Sequence, residues 1–277
     1  MTERSPTMPE RLLAVVTGAS SGIGASFAHQ LAARGYDLLL VARREDRLQL
    51  LAQQIASAHG VSVEIQPADL AEDDPRARLA DRIRTTPNFG LLVNNAGFGT
   101  VGLFHRASFA DQDRMHRLHV LTPLALSHAA LANLTPRADS SGRTGIINVS
   151  SVAGFEQSPS NVSYCASKAW LTSFTEGLSI ELVVRASPVK VQALCPGFTY
   201  SEFHDRTGMD RSPIPKQLWM TADFVVAESL RAFDRGQVVV IPGWRYKIIV
   251  AFIKAVPGPL MRRISAAAAR RYRKPSR

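Results

Sequence analysis

The feature that most constrains the fold of this chain is a regular alternation of short apolar segments with longer segments of helical periodicity. Seven segments rich in Val, Leu or Ile predict strands: Leu12–Thr17, Leu38–Ala42, Val61–Ile65, Leu91–Val93, Ile146–Val149, Val189–Leu194 and Val238–Ile241. They lack strict polar alternation, which is typical of strands buried on both faces. Between them six helices are predicted: Ile23–Arg34, Glu45–His59, Pro75–Arg84, Phe109–Asn133, Val162–Arg185 and Thr221–Asp234.

Strands that alternate with helices form βαβ units, and the right-handed crossover of such units gives a doubly wound sheet. We therefore expect a Rossmann-like α/β fold, in which a parallel seven-stranded sheet lies between two layers of helices in one domain over residues 1–243. Pro123 predicts a kink in the fourth helix. Ligands of such sheets bind beyond the carboxyl ends of the strands, so functional residues are expected there.

The charge of the chain is concentrated at one end. The 33 Lys and Arg residues exceed the 23 Asp and Glu residues by ten. Ten of the basic residues and none of the acidic ones lie beyond Gly243, which leaves 23 of each sign in residues 1–243. We therefore expect a basic, amphipathic helical extension over residues 244–277, attached to a neutral body.

Three interpretations of this extension stay open. The first is a pair of helices that cap the substrate pocket or pack on another subunit. The second is an amphipathic surface in peripheral contact with an anionic membrane. The third, nucleic-acid binding, is the least favoured, because no recognisable binding motif accompanies the charge.

Several classes of protein are disfavoured by composition and spacing. No apolar run approaches the roughly 20 residues of a membrane-spanning helix, and no segment has the pattern of a signal peptide. The two cysteines, Cys165 and Cys195, predict no disulfide framework, and the seven histidines have no metal-ligand spacing. We expect a cytoplasmic protein without a metal site.

A glycine-rich segment, Thr17–Gly24, follows the first strand and leads into the first helix. Glycines let the backbone approach a pyrophosphate closely, and the helix N-terminus offers N–H groups and a positive dipole end. The spacing TGxxxGxG differs from the common GxGxxG pattern, and a tight loop would also explain the glycines. The position after the first strand favours a nucleotide site that includes Gly18, Ser20, Ser21, Gly22 and Ile23.

The end of the second strand indicates which dinucleotide is bound. An acidic residue there would bind the ribose 2′-hydroxyl of NAD, whereas arginine suits the 2′-phosphate of NADP. This strand ends in Arg43 and Arg44, and Glu45 belongs to the first turn of the next helix. A solvated helix start would also explain the arginines. The pattern favours NADP(H) over NAD(H).

Three polar side chains form the catalytic candidates. Ser151 follows the fifth strand, and Tyr164 and Lys168 are four residues apart on a predicted helix, so they share one face. An ammonium group near a phenol favours the phenolate and lowers the phenol pKa. Ser151 is expected to donate a hydrogen bond to a substrate oxygen that becomes negative in the transition state.

Five motifs occur together in chain order: TGASSGIG at Thr17–Gly24, NNAG at Asn94–Gly97, Ser151, YCASK at Tyr164–Lys168 and Pro196-Gly197. This combination resembles the classical type of the short-chain dehydrogenase/reductase family over roughly residues 12–243. The resemblance implies an NAD(P)-linked oxidation or reduction of an alcohol–carbonyl pair by a homodimer or homotetramer.

The resemblance also implies residue roles. Tyr164 is the acid/base, Lys168 lowers its pKa and holds the nicotinamide ribose, and Ser151 orients the carbonyl. Further cofactor contacts are implied at Tyr164 itself and at Asp69, Asn95, Ala96, Gly97, Pro196, Gly197 and Thr199.

One position departs from the family pattern. The family places an asparagine of a proton relay 25 residues beyond the first asparagine of NNAG, and here that position is His119. Histidine also accepts and donates protons, so the relay either persists in altered form or is weakened. A histidine on a helix is by default a packing or surface residue. We count His119 among the catalytic candidates.

Residues 198–220 follow the sixth strand and are expected to cover the substrate. Their side chains predict a hydrophobic carbonyl or alcohol, although packing within a lid would explain the same residues: Phe198, Tyr200, Phe203, Met209, Leu218, Trp219 and Met220. The leading hypothesis is an NADP(H)-dependent oxidoreductase that transfers hydride to or from this substrate. The alternative is a catalytically weak NADP-binding regulator or membrane-associated protein, as His119 and the extension suggest.

Overall fold

The computed structural model describes residues 11–137, 142–202 and 214–272. Seven strands lie parallel in one sheet in the order β3-β2-β1-β4-β5-β6-β7, which confirms the predicted Rossmann-like topology. The strands are β1 Leu13–Thr17, β2 Asp37–Ala42, β3 Val63–Pro67, β4 Phe89–Asn94, β5 Gly145–Val149, β6 Lys190–Leu194 and β7 Val239–Val240. The strand order reverses between β1 and β4, so a crevice forms at the carboxyl ends of these strands.

Helices cover both faces of the sheet: α1 Gly22–Ala33, α2 Glu45–His59, α3 Asp73–Thr85, α4 Phe109–His116, α5 Thr122–Leu134, α6 Val162–Val184 and α7 Ala222–Asp234. Each face has its own hydrophobic core. On one face Phe27 and Leu230 pack against the sheet, and on the other Leu79 and Leu126 do so. The chain therefore has the expected three-layer α/β/α arrangement.

The predicted helix over Phe109–Asn133 is divided into three parts. A π-helical turn, Arg117–Leu121, separates α4 from α5, and the N–H of Thr122 donates to the carbonyl of Arg117 five residues earlier. Pro123 has no N–H to donate, and it follows shortly after this π-helical turn within one continuous run of helix. The π-helical turn carries His119. Turns of this kind are frequent at functional sites.

A buried hydrogen bond aligns the middle of the sheet. Asn94 and Asn148 are register partners on β4 and β5. The Asn94 side-chain amide donates to the Asn148 oxygen at 2.8 Å, and the Asn148 amide donates to the Thr175 hydroxyl at 2.9 Å. These two bonds connect β4, β5 and α6 and favour the register observed, because a buried amide without its partner would cost free energy.

The extension is helical over its described residues, as α8 Trp244–Ala255 and α9 Gly258–Tyr272. Helix α8 begins after Gly243, whose φ of 79° favours glycine. Among the described helices, none combines the length and the apolar character that a bilayer crossing requires.

Candidate active site

A cavity of about 470 Å³ opens at the carboxyl ends of the central strands. Most of the residues predicted for the site line it: Gly18, Ser21, Gly22, Ile23, Asn95, Gly97, Ser151, Tyr164, Lys168, Pro196, Gly197 and Thr199. Six residues predicted for the site stand behind or beside this lining: Ser20, Arg43, Arg44, Asp69, Ala96 and His119. The volume of the cavity is in the range of small-molecule sites.

The floor of the cavity is formed where the chain leaves β1 and β4. The side-chain amide of Asn95 donates to the carbonyl oxygens of Thr17 at 3.0 Å and Gly18 at 3.2 Å. The Thr17 hydroxyl accepts from the N–H groups of Asn95 at 2.9 Å and Ala96 at 3.1 Å. A Cβ on Gly18, which has a φ of 66°, would lie 2.8 Å from the Ala96 Cα. Only glycine fits this close approach.

The start of α1 fits a pyrophosphate. Ser21 is the N-cap residue, yet its side chain does not cap the helix, and the first turn contains no acidic residue. The backbone N–H groups of this turn and the positive end of the helix dipole are therefore available to an anion. The residues present thus suit the dinucleotide that the glycine-rich segment predicted.

The two arginines at the end of β2 have different partners. Arg44 points to the glycine-rich segment, where its Nη2 atom donates to the hydroxyls of Ser20 and Ser21, both at 3.0 Å. The Arg43 side chain is about half exposed, and its guanidinium lies 3.8 Å from the Asp69 carboxylate. Asp69 also pairs with Arg114 and accepts from the N–H of Ala71 at 3.1 Å. Arg44 therefore contacts the predicted nucleotide site more directly than Arg43 does.

Ser151, Tyr164 and Lys168 come together at the opposite side of the cavity. Helix α6 begins at Val162, so Tyr164 and Lys168 project from successive turns, and the Ser151 hydroxyl hydrogen-bonds to the Tyr164 phenol. The Lys168 ammonium donates to the Val149 carbonyl at 2.9 Å and lies 5.8 Å from the centre of the Tyr164 ring.

Burial dominates the electrostatics of this group. It raises the pKa of Tyr164 to about 12, against the smaller lowering by the Ser151 hydrogen bond. It also lowers the pKa of Lys168 to about 8. The net lowering of the phenol pKa that we expected from the ammonium is not found in this state, because desolvation of the phenolate is the largest cause of the shift. The phenol carries its proton at neutral pH, as an unperturbed phenol does, and it is a weaker acid than in water.

Comparison with known proteins decides the family. A sequence profile of short chain dehydrogenases matches residues 12–212. The chain belongs to this family. It is accordingly an NAD(P)-dependent dehydrogenase/reductase that acts on carbonyl or alcohol groups.

Two relatives illustrate the likeness. An uncharacterized oxidoreductase of Myxococcus xanthus is 34% identical over 264 residues, which are 94% of this chain and 97% of the relative. A short-chain dehydrogenase from Sphingobium yanoikuyae, solved in complex with NADPH, is 33% identical with a TM-score of 0.77. The match covers 89% of this chain and 97% of that structure.

A third relative is a bulky-bulky ketone specific alcohol dehydrogenase from Comamonas testosteroni. Its structure is 30% identical with a TM-score of 0.74, and the match covers 89% of this short-chain dehydrogenase and 95% of that chain.

His119, the departure from the family pattern, is buried behind the cavity. Its Nε2 atom accepts from the N–H of Phe98 at 3.2 Å, so Nδ1 carries the proton and donates to the Ser167 hydroxyl at 3.0 Å. Ser167 donates in turn to the Tyr164 carbonyl at 2.8 Å. Burial, with a smaller contribution from the Lys168 charge, holds the pKa of His119 well below its usual range. This geometry favours a positioning role over the proton relay that the sequence left open.

Gly97 is coupled to this histidine. A Cβ on Gly97 would lie 2.7 Å from the His119 Nε2 atom. The glycine therefore makes room for the imidazole, which joins the segment after β4 to α6.

The expected substrate cover is only partly found. Phe198 and Leu218 line the cavity. Trp219 instead packs on Phe198 and Tyr200, with ring centres 5.4 and 5.0 Å apart, and Met220 packs against the core. Trp219 therefore packs within the cover itself, as the alternative interpretation expected, whereas Met220 belongs to the edge of the core. Phe203 and Met209 lie outside the described residues.

Helix α8 supplies residues that sequence reasoning missed. Tyr246, Ile249 and Ile253 line the cavity. The Tyr246 hydroxyl donates to the Leu218 carbonyl at 2.7 Å and accepts from the N–H of Phe198 at 2.9 Å. Its ring packs where a Cβ on Gly197 would collide. Nothing in the sequence singles out this tyrosine, because its role depends on where the extension packs.

Metal binding finds no support in the described geometry. Within residues 11–137, 142–202 and 214–272, no group of three or more His, Cys, Asp or Glu side chains is arranged to hold a metal ion.

Replacing His119 by asparagine tests its positioning role. Asparagine is the residue that the family pattern places here, and its amide can donate to Ser167 from the position of the imidazole Nδ1, so His119→Asn is expected to keep kcat at or above that of the wild type. His119→Leu removes every polar contact of this side chain, and kcat/KM should fall about tenfold. Steady-state NADPH oxidation with a panel of carbonyl compounds measures both. A large loss in His119→Asn would show that the imidazole has a chemical role that an amide cannot replace.

Proposed function

We propose that this short-chain dehydrogenase is an NADP(H)-dependent reductase of hydrophobic ketones or aldehydes, or catalyses the matching alcohol oxidation. The observation behind the proposal is the placement of the Tyr164 phenol, hydrogen-bonded to Ser151 and close to Lys168, on the wall of a largely apolar cavity. Residues 1–243 would form the catalytic domain, and residues 244–277 would be an extension that covers it.

In the reduction, Tyr164 donates its phenol proton to the carbonyl oxygen of the substrate. Ser151 donates a hydrogen bond to the same oxygen and stabilises its developing negative charge. Lys168, as an ammonium, stabilises the phenolate that remains. The nicotinamide cofactor, when bound, supplies the hydride. Alcohol oxidation uses the reverse proton transfer, for which the phenolate form is required.

The preference for NADP(H) is supported by the end of β2. The two residues that directly follow β2 are arginines and not the acidic residue that binds a ribose hydroxyl, and Arg44 presents a guanidinium beside Ser20 and Ser21. Planar guanidinium groups bind phosphates through paired hydrogen bonds. The Sphingobium yanoikuyae relative was solved with NADPH, which agrees with this preference. Asp69, Asn95 to Gly97, and Pro196 to Thr199 would complete the cofactor site.

A hydrophobic substrate is supported by the part of the cavity beyond Ser151. Phe98, Val101 and Leu218 line it from the body, and Ile249 and Ile253 line it from α8. Apolar walls with a few convergent polar groups suit a large apolar ketone. The Comamonas testosteroni relative, which is specific for bulky-bulky ketones, supports the same substrate class.

We also propose that the enzyme works as a homodimer or homotetramer in the cytoplasm. Helix α6 exposes Ile180, Val183 and Val184, and Val183 and Val184 are each about four-fifths exposed. Three neighbouring aliphatic side chains on one helix end suit burial against a second copy of the chain.

The extension supports a peripheral contact with an anionic membrane. The face of α8 that points away from the cavity exposes Trp244, Ile248 and Phe252, each by more than half, and α9 adds Leu260 and Ile264. Arginines and lysines lie between these side chains, and no acidic residue follows Asp234. Apolar and basic side chains on adjacent helices suit insertion at a lipid interface.

Tyr164→Phe tests the catalytic proposal against the alternative of a weakly active NADP-binding regulator. The variant keeps the ring but lacks the proton donor, so carbonyl-dependent NADPH oxidation should fall at least about a thousandfold, within the usual range for general acids. NADPH affinity, measured by calorimetry, should change by less than about tenfold, because only one hydroxyl is removed from the cofactor site. Equal and negligible turnover of both proteins with bulky apolar ketones, despite tight NADPH binding, would favour the regulator.

Charge reversal tests the membrane contact without removing the cavity wall. The double variant Arg262→Glu/Arg263→Glu should bind phosphatidylglycerol vesicles at least about fivefold less than the wild type, because each basic residue near such a surface contributes about 1 kcal/mol. Arg235→Glu, on the body after α7, is the matched control and should bind normally. Sedimentation with vesicles measures binding. Absent or equal binding by wild type and double variant would contradict the contact.

A further inference from the structure

The carboxylate of Glu202 lies between two arginines at the edge of the cofactor cavity. Its Oε2 atom accepts from Arg44 Nη1 at 2.8 Å, and its Oε1 atom accepts from Arg47. Glu202 itself lines the cavity. Glu202 lies in the segment that follows β6, whereas both arginines belong to the start of α2. The contact therefore joins two parts of the chain that are far apart in sequence.

This carboxylate accepts from guanidinium groups that the proposed 2′-phosphate would also need. Arg44 lies against the glycine-rich segment at the end of β2, and all three of its guanidinium nitrogens are engaged. Nε and Nη2 donate to Ser20, Nη2 also donates to Ser21, and Nη1 donates to Glu202. A phosphate can therefore bind Arg44 fully only if one of these acceptors leaves.

Charge decides which acceptor leaves. The two arginines hold the pKa of Glu202 at about 2, so the side chain is an anion at neutral pH. A phosphate dianion placed within reach of the same guanidinium groups would repel this carboxylate, whereas it could share the neutral serine hydroxyls. When the phosphate replaces the Glu202 carboxylate, Arg44 and Arg47 still have an anion beside them.

We propose that Glu202 is an internal competitor of the cofactor's 2′-phosphate and that Arg47 is a second guanidinium of the phosphate site. In the free enzyme, Glu202 holds both arginines in place. NADP(H) displaces the carboxylate and takes over both arginines. NAD(H) has no 2′-phosphate and leaves the contact intact. The inference rests on the proposed preference for NADP(H).

The competition should have a modest effect on affinity. Glu202, Arg44 and Arg47 are all partly exposed, with side-chain exposures of 36%, 26% and 45%. Ion pairs with this much solvent access are weak, so their loss should cost the cofactor only about three- to tenfold in affinity. This is enough to alter cofactor choice without preventing binding.

Calorimetry with two nucleotide fragments isolates the phosphate site. Adenosine 2′,5′-bisphosphate carries the 2′-phosphate, whereas adenosine 5′-diphosphate does not. We expect Glu202→Gln to bind the bisphosphate and NADPH about three- to tenfold more tightly than the wild type, with unchanged affinity for the diphosphate and NADH. Arg47→Gln should weaken binding of the bisphosphate alone. Glu228→Gln, which breaks an exposed Arg231 pair on α7, is the matched control and should match the wild type.

The outcomes separate the inference from the proposed function. A wild type that prefers the bisphosphate, together with a Glu202→Gln variant of equal or weaker affinity, would overturn the competition and leave the NADP preference intact. A wild type that binds both fragments equally would overturn both. Thermal unfolding of each variant reports whether the fold is kept, and Glu202→Ala gives a second test if Glu202→Gln unfolds early.

Discussion

The hydrogen bonds donated by the Asn95 side-chain amide determine where the active site can form. They join the carbonyl oxygens of Thr17 and Gly18 to the chain that leaves β4, across the point where the strand order reverses. The Thr17 hydroxyl completes the connection. Because the two strand ends are held so closely, Gly18 tolerates no side chain, and the glycine-rich segment opens directly onto the start of α1. The dinucleotide site follows from this contact.

Burial then sets the chemistry at the other end of the cavity. It keeps the proton on Tyr164, reduces the basicity of Lys168 and keeps His119 neutral. These three effects have one physical cause, the cost of a charge in a poorly solvated site. They leave Tyr164, the proposed proton donor, protonated but a weaker acid than a phenol in water before any cofactor binds. The neutral His119 supports the arrangement by joining Phe98 to Ser167, which an imidazolium could not do through Nε2.

The sequence was most informative where local spacing determines geometry. The apolar runs predicted all seven strands, and the four-residue spacing of Tyr164 and Lys168 placed both on one face of α6. It was least informative where distant segments meet. Tyr246 reaches the cavity only because α8 packs beside residues 197–198, and Glu202 reaches Arg44 only because the chain after β6 passes the end of β2. The net direction of the Tyr164 pKa shift also depends on tertiary burial, which a pair of residues cannot reveal.

The transfer of deuterium from the cofactor to the substrate tests whether hydride transfer takes place in this cavity. NADPH with deuterium in place of both C4 hydrogens would be incubated with a bulky apolar ketone, and the product alcohol would be examined by NMR. We predict one deuterium on the carbinol carbon. Oxidation of the cofactor with no deuterium at that carbon would contradict it, because the cavity would then not bring nicotinamide and carbonyl together.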